Sequence, residues 1–321
     1  MKKLVSLICI LALALSLTAC SGDGSASGDG TYTVGICQLV QHPALDAATQ
    51  GFKDALTEKL GDKVTFMEQN ASGDSATCSV ICNQFVGEEV DLIMANATPA
   101  LLAAQSATGT IPILGTSVTD YASALEIDGW TGATGTNISG TSDRVPESEQ
   151  AKVLNELFPD AVNVGIVYCS AEPNSKVQAE AFTEAASAMS YTLKEYTFAD
   201  SNDVAQVVQT ACDESDVLYI PTDNTAASNT ELINNVALNA GVPIVCGEEG
   251  LCKGCGIATL SISYYNLGYK TGEMAYEILV NGANPGEMEI AYADFTKEYN
   301  PAICEALGIT IPEGYVAIPE D

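Results

Sequence analysis

Short, almost wholly apolar runs alternate along this chain with longer stretches whose apolar residues recur every three or four positions. The runs at 31–40, 64–69, 91–95 and 111–115 read as strands, and the segments at 45–60, 75–86 and 100–107 as helices between them. The order then begins again, with strands at 164–168, 191–198, 216–220 and 242–246 and helices at 176–189, 203–211 and 227–240. The second series opens as the first does, 130 residues later: Val34-Gly35-Ile36 matches Val164-Gly165-Ile166, Pro43 matches Pro173, and Phe52 matches Phe182. Further on, 216–220 mirrors 91–95 and Pro243 mirrors Pro112. Strands alternating with helices of this length imply parallel sheets with right-handed crossovers, and a series that repeats implies two of them. The expected fold is α/β, with two Rossmann-like lobes.

A stretch rich in Gly, Thr, Ser and Asp, 125–146, lacks helical periodicity and reads as a connector between the lobes. After the second series come a return strand at 256–263, a helix at 266–280, a last strand at 288–292 and a short helix at 300–307. The first lobe is therefore expected to take 31–137 plus about 262–285, and the second 138–261 plus about 286–321. The chain then crosses three times between the lobes, through a multi-strand hinge.

Composition adds a location. Met1-Lys2-Lys3 and the apolar run 4–17 form the charged and hydrophobic parts of a signal peptide, too short for a spanning helix. The run ends in Leu17-Thr18-Ala19-Cys20, similar to a bacterial lipobox, so 1–19 is expected to be a leader and Cys20 the lipidated N-terminus, with palmitate among its acyl chains. Two or more chains hold a protein stably on a membrane, and 21–30, made only of Ser, Gly, Asp and Ala, would be the flexible tether. A leader carrying Lys2 and Lys3 and no acid leaves 10 basic and 42 acidic residues, a formal charge of −32. Nucleic-acid backbone binding is excluded as a main activity. Besides Cys9 in the leader and Cys20, nine cysteines, an odd number scattered through apolar segments, do not form a disulfide framework; those at 37, 169 and 246 fall in expected core strands.

In parallel sheets, ligands bind outside the carboxyl ends of the strands. The loops expected there carry Gln41 and His42, Thr98, Ser117 and Asp120, Glu172 with Asn174 and Ser175, Asp223 and Asn224, Glu248, and Tyr264 with Tyr265. These small polar residues with a few aromatics suit a small polar ligand with one flat or apolar part. Together with the segments 41–46, 51–56, 97–99, 118–120, 137–143, 171–175, 223–224 and 264–268 they carry a resemblance that spans nearly all the chain after the leader. The sequence resembles the substrate-binding lipoproteins of ABC transporters, of the tryptophan/tyrosine type. The resemblance implies a type-I periplasmic-binding fold, no cofactor, and capture of a small molecule, an aromatic amino acid first among them. It implies a location outside the cell membrane, on its lipid anchor, and a monomer that hands its ligand to a permease driven by a separate ATPase. The Cys252 to Cys255 segment is not explained by it.

Under this reading Thr98, Ser117 and Ser175, beside helix N-termini, hold a carboxylate. Asp223 accepts from an ammonium, with Glu248 as second candidate, and Tyr264, Tyr265 or Tyr121 meets a ring or the cation. Helix capping competes with ligand contact for each loop Ser, Thr and Asn. His42, the only histidine, has no Ser or Cys nucleophile pattern beside it, and is expected to touch the ligand or order its loop. A thiolate metal site would need Cys252 and Cys255 to meet Cys78 and Cys82 from the other half, so no metal is expected. No Gly-x-x-x-x-Gly-Lys loop is present, so the chain is not its own ATPase. Two other functions fit the pattern: a ligand-sensing module for a receptor, and a secreted α/β enzyme acting through Asp120, Glu172 or His42.

Overall fold

The computed structural model describes residues 30–319; the expected leader, Cys20 and most of the tether lie outside the described residues. The first sheet is built from β1 (Tyr32–Gln38), β2 (Val64–Asn70), β3 (Leu92–Asn96), β4 (Ile113–Val118), β5 (Ile138–Ser142) and β11 (Ala291–Tyr292). The second contains β6 (Asn163–Cys169), β7 (Thr192–Phe198), β8 (Val217–Ile220), β9 (Ile244–Cys246), β10 (Ala258–Ile262), β12 (Phe295–Tyr299) and β13 (Val316–Ala317). Strand order is β11-β5-β4-β3-β1-β2 in one and β13-β12-β10-β9-β8-β6-β7 in the other. The first five strands of each half thus repeat one order, 2-1-3-4-5, and all the ladders among them are parallel. Among the described residues only the β10–β12 pair is antiparallel. The two repeated series of the sequence are two copies of one doubly wound topology.

Helices cover the faces: α1 (Pro43–Leu60), α2 (Ser75–Gly87), α3 (Thr98–Ala107) and α4 (Tyr121–Ala124) in the first half, then α5 (Glu147–Leu157), α6 (Pro173–Ala186), α7 (Val204–Glu214), α8 (Asn224–Ala227), α9 (Thr230–Ala240), α10 (Glu249–Cys255), α11 (Tyr264–Asn281) and α12 (Pro301–Leu307). The repeated prolines explain why α1 and α6 start earlier than their apolar stripes: each occupies the first helical position, where no N–H is needed. Phe52 is buried with Val34, Ile36 and Met274, and Phe182 stacks on Tyr219 with ring centroids 3.8 Å apart. α11 comes back to the first lobe and packs against α1 over glycines. A Cβ at Gly268 would lie 1.9 Å from the Ala48 carbonyl oxygen, and one at Gly51 would lie 2.1 Å from that of Tyr265.

The chain passes from the first sheet to the second between β5 and α5, returns between β10 and α11, and passes again between β11 and β12. Sheet membership moves the boundaries expected from sequence. Residues 138–142 and 291–292 lie in the first sheet, and the strand at 258–262 ends the second-sheet series. The connector contains β5, and α5, α10, β12 and β13 add elements the apolar pattern did not announce.

Candidate functional site

In a sheet of order 2-1-3-4-5 the chain reverses direction between the first and third strands, and a crevice opens at their carboxyl ends. In the first lobe that place lies between β1 and β3, whose following loops carry His42 and Thr98. In the second it lies between β6 and β8, whose loops carry Glu172, Asn174, Ser175, Asp223 and Asn224. All seven side chains are buried. His42 Nε2 lies 3.2 Å from Asn224 Oδ1, a hydrogen bond from one lobe to the other. Thr98 and Asn174, again from opposite lobes, line a cavity of about 210 Å³ together with Asp120 and Val177. A second cavity, of about 340 Å³, runs between Leu39, Val40 and Pro99 on one side and Cys169, Ala171, Glu172 and Asn224 on the other.

Glu172 organises the second-lobe side. Its Oε2 accepts from the backbone N–H of Asn224 at 3.1 Å and from Asn224 Nδ2 at 2.6 Å, and its Oε1 from Thr225 N at 2.8 Å and Thr225 Oγ1 at 2.7 Å. It thereby caps α8 from a loop 52 residues away. Asp223 is equally engaged: Oδ1 accepts from Ala226 N and Oδ2 from Cys169 N, both at 2.7 Å. Burial, with Glu172 nearby, pushes its carboxyl up to about 7. Glu248 caps α10 through the N–H groups of Gly250 and Leu251, and burial pushes it up to about 7 as well. The two acids expected to meet an ammonium therefore each hold backbone N–H groups with both oxygens.

On the first-lobe side, backbone strain marks the loop ends. Ala97, before α3, has φ +87°, and Ser117, near the end of β4, has φ +53°. Neither is glycine, and such conformations persist where the surrounding structure fixes them, often at ligand sites. Several buried polar atoms have no protein partner: His42 Nδ1, Thr98 Oγ1 and Ser117 Oγ on the ends of adjacent strands, and Asn174 Oδ1 opposite. Since an unpaired buried polar atom costs about 1–3 kcal/mol, these four mark where a polar ligand would be welcome.

The remaining candidates separate. Ser175 is fully buried, with Oγ 3.5 Å from the Thr222 carbonyl. Asp120 caps α4 and pairs with Arg144, which also holds Glu147 through two hydrogen bonds of 3.1 Å. Tyr121 is core: its hydroxyl donates to the Thr141 carbonyl across Gly115 and Gly140. Tyr264 is buried at the second crossing and donates to Asp143 Oδ2 at 3.0 Å. Tyr265 and Gln41 are exposed; the former donates to Asp54, and the latter lines a hollow on the flank of the first lobe with Asp46 and Lys53. Among the described residues no group of His, Cys, Asp or Glu is arranged to hold a metal, and Cys78/Cys82 and Cys252/Cys255 lie in separate cores.

Asp143, absent from the sequence-derived candidates, ties the first crossing to the second through Tyr264 and accepts from Thr119 Oγ1 at 3.1 Å. Its only sequence signal was an acid at the end of the 137–143 segment. Burial pushes its carboxyl up to about 6. Asp143, Asp223 and Glu248 consequently bind protons more readily folded than unfolded. Between about pH 4 and 7 the folded state holds more protons, so their contribution to stability falls as pH rises through this window. The expected result is a melting temperature several degrees higher at pH 5 than at pH 8, with the difference reduced in Glu248→Gln, read by circular dichroism at constant ionic strength.

Residues 33–321 match the family model described as ABC transporter substrate binding protein. The "Tyrosine-binding protein" of Clostridioides difficile strain R20291 is 37% identical over 309 residues, covering 92% of this chain and 89% of that one. The chain belongs to the family of ABC transporter substrate-binding proteins. Among solved structures, an ABC domain in complex with L-Trp from Streptococcus pneumonia is similar with a TM-score of 0.85 at 29% identity, covering 89% of this chain and 100% of that one. The ligand-free, open structure of a substrate-binding protein with adhesive properties from Clostridium difficile gives 0.68 at 37% identity, over 91% of this chain and 100% of that one. The type-I periplasmic-binding fold and the small-molecule ligand expected from the sequence are what this family has.

Proposed function

We propose that the protein captures an aromatic amino acid between its lobes and, closed, presents it to an ABC permease served by a separate ATPase. The observation that carries this is conformational. The relative with the more similar sequence but an open, ligand-free structure fits less well than the Trp-bound one, 0.68 against 0.85. That difference supports a closed arrangement of the lobes here, one that His42 and Asn224 bridge. Closure stabilised by contacts to both lobes is how a ligand shifts such a hinge. Thr98 Oγ1 and Ser117 Oγ, beside the first turn of α3, suit the ligand carboxylate. Asn174 Oδ1, unpartnered on the other lobe, can only accept, and so suits a donor of the ligand, not its carboxylate. The apolar walls given by Leu39, Val40, Pro99 and Ala171 suit the side chain. Tyr264 is tied through its hydroxyl to Asp143 and supports the hinge.

The same reading places the protein outside the cell membrane as a monomer, with residues 1–19 removed and Cys20 acylated. Among the described residues no helix is long and apolar enough to cross a membrane, so attachment falls to the lipid. Thermal-shift measurements of the purified protein with the twenty amino acids, nucleosides and small amides test the ligand. Tryptophan, tyrosine or phenylalanine is expected to raise the melting point in a concentration-dependent way, by linkage. A shift confined to another class of compound would remove the aromatic assignment, and disappearance of the bound compound would replace binding with catalysis.

A further inference from the structure

His42 precedes the first residue of α1, where a polar side chain ordinarily accepts from the N–H groups of the first turn. It makes no such bond. Its ring instead crosses the cleft, with Nε2 3.2 Å from Asn224 Oδ1. The direction of that bond follows from what lies behind Asn224. Glu172 is a carboxylate already accepting from Asn224 N and from both groups of Thr225, so the Asn224 atom 2.6 Å from it is the amide nitrogen. The amide oxygen therefore faces His42, and the imidazole must donate from Nε2. In the neutral ring that leaves Nδ1 as a bare acceptor. Burial lowers the His42 pKa and keeps the ring neutral, against the opposing pull of Asn224, Glu172 and Asp46. Nδ1 is buried and has no protein partner.

A buried acceptor without a protein partner calls for a donor from the ligand. His42, Thr98 and Ser117 stand at the ends of β1, β3 and β4, neighbours in the first sheet. The two hydroxyls can donate, whereas Nδ1 cannot. Glu172 and Asp46 act electrostatically on the ring, but burial, the larger effect, keeps it uncharged. We propose that His42 Nδ1 accepts from the α-ammonium of the bound amino acid, and that the Nε2–H bond to Asn224 fixes the tautomer only when the lobes are closed. Ligand recognition and lobe closure then share one imidazole. Asp223 and Glu248, whose oxygens hold backbone N–H groups, are relieved of that part. The assignment rests on the amino-acid reading above, though not on the side chain being aromatic.

Titration calorimetry with the wild-type protein and His42→Gln tests it. Glutamine places an N–H donor where Nε2–H stood and removes the Nδ1 acceptor. The ligands are each of the twenty amino acids and, for tyrosine, 3-(4-hydroxyphenyl)propionate, which lacks the amine. Wild type should bind tyrosine about ten- to a hundredfold more tightly than the desamino compound, the scale of a hydrogen bond to a charged group. His42→Gln should lose most of that preference while binding the desamino compound nearly as wild type does. Asn224→Ala, which removes the bridge, should weaken both ligands alike. Because His42 is the only histidine, selective ¹⁵N-histidine labelling reads the ring directly, and the complex should show a protonated Nε2 and an unprotonated Nδ1. A protonated Nδ1, or equal losses for both ligands in His42→Gln, would overturn the assignment and leave the aromatic reading intact. Binding of a non-aromatic amino acid alone, with an unprotonated Nδ1 in its complex and a loss of affinity in His42→Gln, would remove the aromatic reading and keep the assignment. Binding of no amino acid would end both.

Discussion

Glu172→Ala is expected to destabilise the protein by about 3 kcal/mol and to abolish measurable ligand binding. The side chain holds four donors of Asn224 and Thr225 within 3.1 Å, and its removal strands them in a buried loop. Each stranded group costs about 1–3 kcal/mol, less where water enters the space left behind. The loss reaches binding because α8 is only four residues long and depends on Glu172 and Asp223 for its N-terminus. Once it frays, Asn224 no longer faces His42, and the cross-cleft bond goes with it. Glu172→Gln, which keeps one acceptor oxygen, should lose roughly half as much stability. Urea unfolding followed by circular dichroism, paired with titration calorimetry, measures both effects. An unchanged unfolding midpoint in Glu172→Ala would show that α8 stands without its cap.

Gly268→Ala should be as damaging at the contact between α1 and α11. The added methyl would sit 1.9 Å from the Ala48 carbonyl oxygen, and backbone cannot yield as a flexible side chain does. α1 and α11 must separate, loosening Phe52, Met274 and Ile278 in the core beneath. Overpacking costs about 1–3 kcal/mol, and the upper end applies where two backbones collide. Because α11 follows directly on the second crossing at Ser263, the hinge moves with it. The expected observation is a urea midpoint well below wild type, with Gly282→Ala as control. Gly282 closes α11 with φ +68° but meets nothing within 4 Å, so its cost should be only about 1 kcal/mol.

The architecture was largely legible in the sequence because it rests on period. Buried parallel strands give continuous apolar runs, and two series with matching Val-Gly-Ile openings announce two sheets. What escaped lacks that signal. β12 carries Lys297 and Glu298 on a sheet flank and is paired antiparallel, while α10 is short and five of its seven residues are Gly, Lys or Cys. The loops of the candidate site were expected from their position after strands, but the hydrogen bonds of their residues were not. Capping and ligand contact use the same side chains, and only tertiary neighbours tell them apart. Glu172 meets Thr225 53 residues on, and Asp143 meets Tyr264 at a separation of 121. No local pattern records either meeting. Tyr121 and Tyr264 show the same limit, since an aromatic after a strand reads alike whether it faces a ligand or fills the space over two glycines.

All nine thiols from Cys37 to Cys304 are buried and unpaired in the folded protein. A thiol-reactive dye should therefore leave them alone and label a single cysteine introduced on the cleft rim, for instance Ser201→Cys, where an exposed serine borders the larger cavity. Fluorescence from that one dye would follow opening and shutting of the lobes in real time, making the native protein a ready chassis for an optical amino-acid sensor.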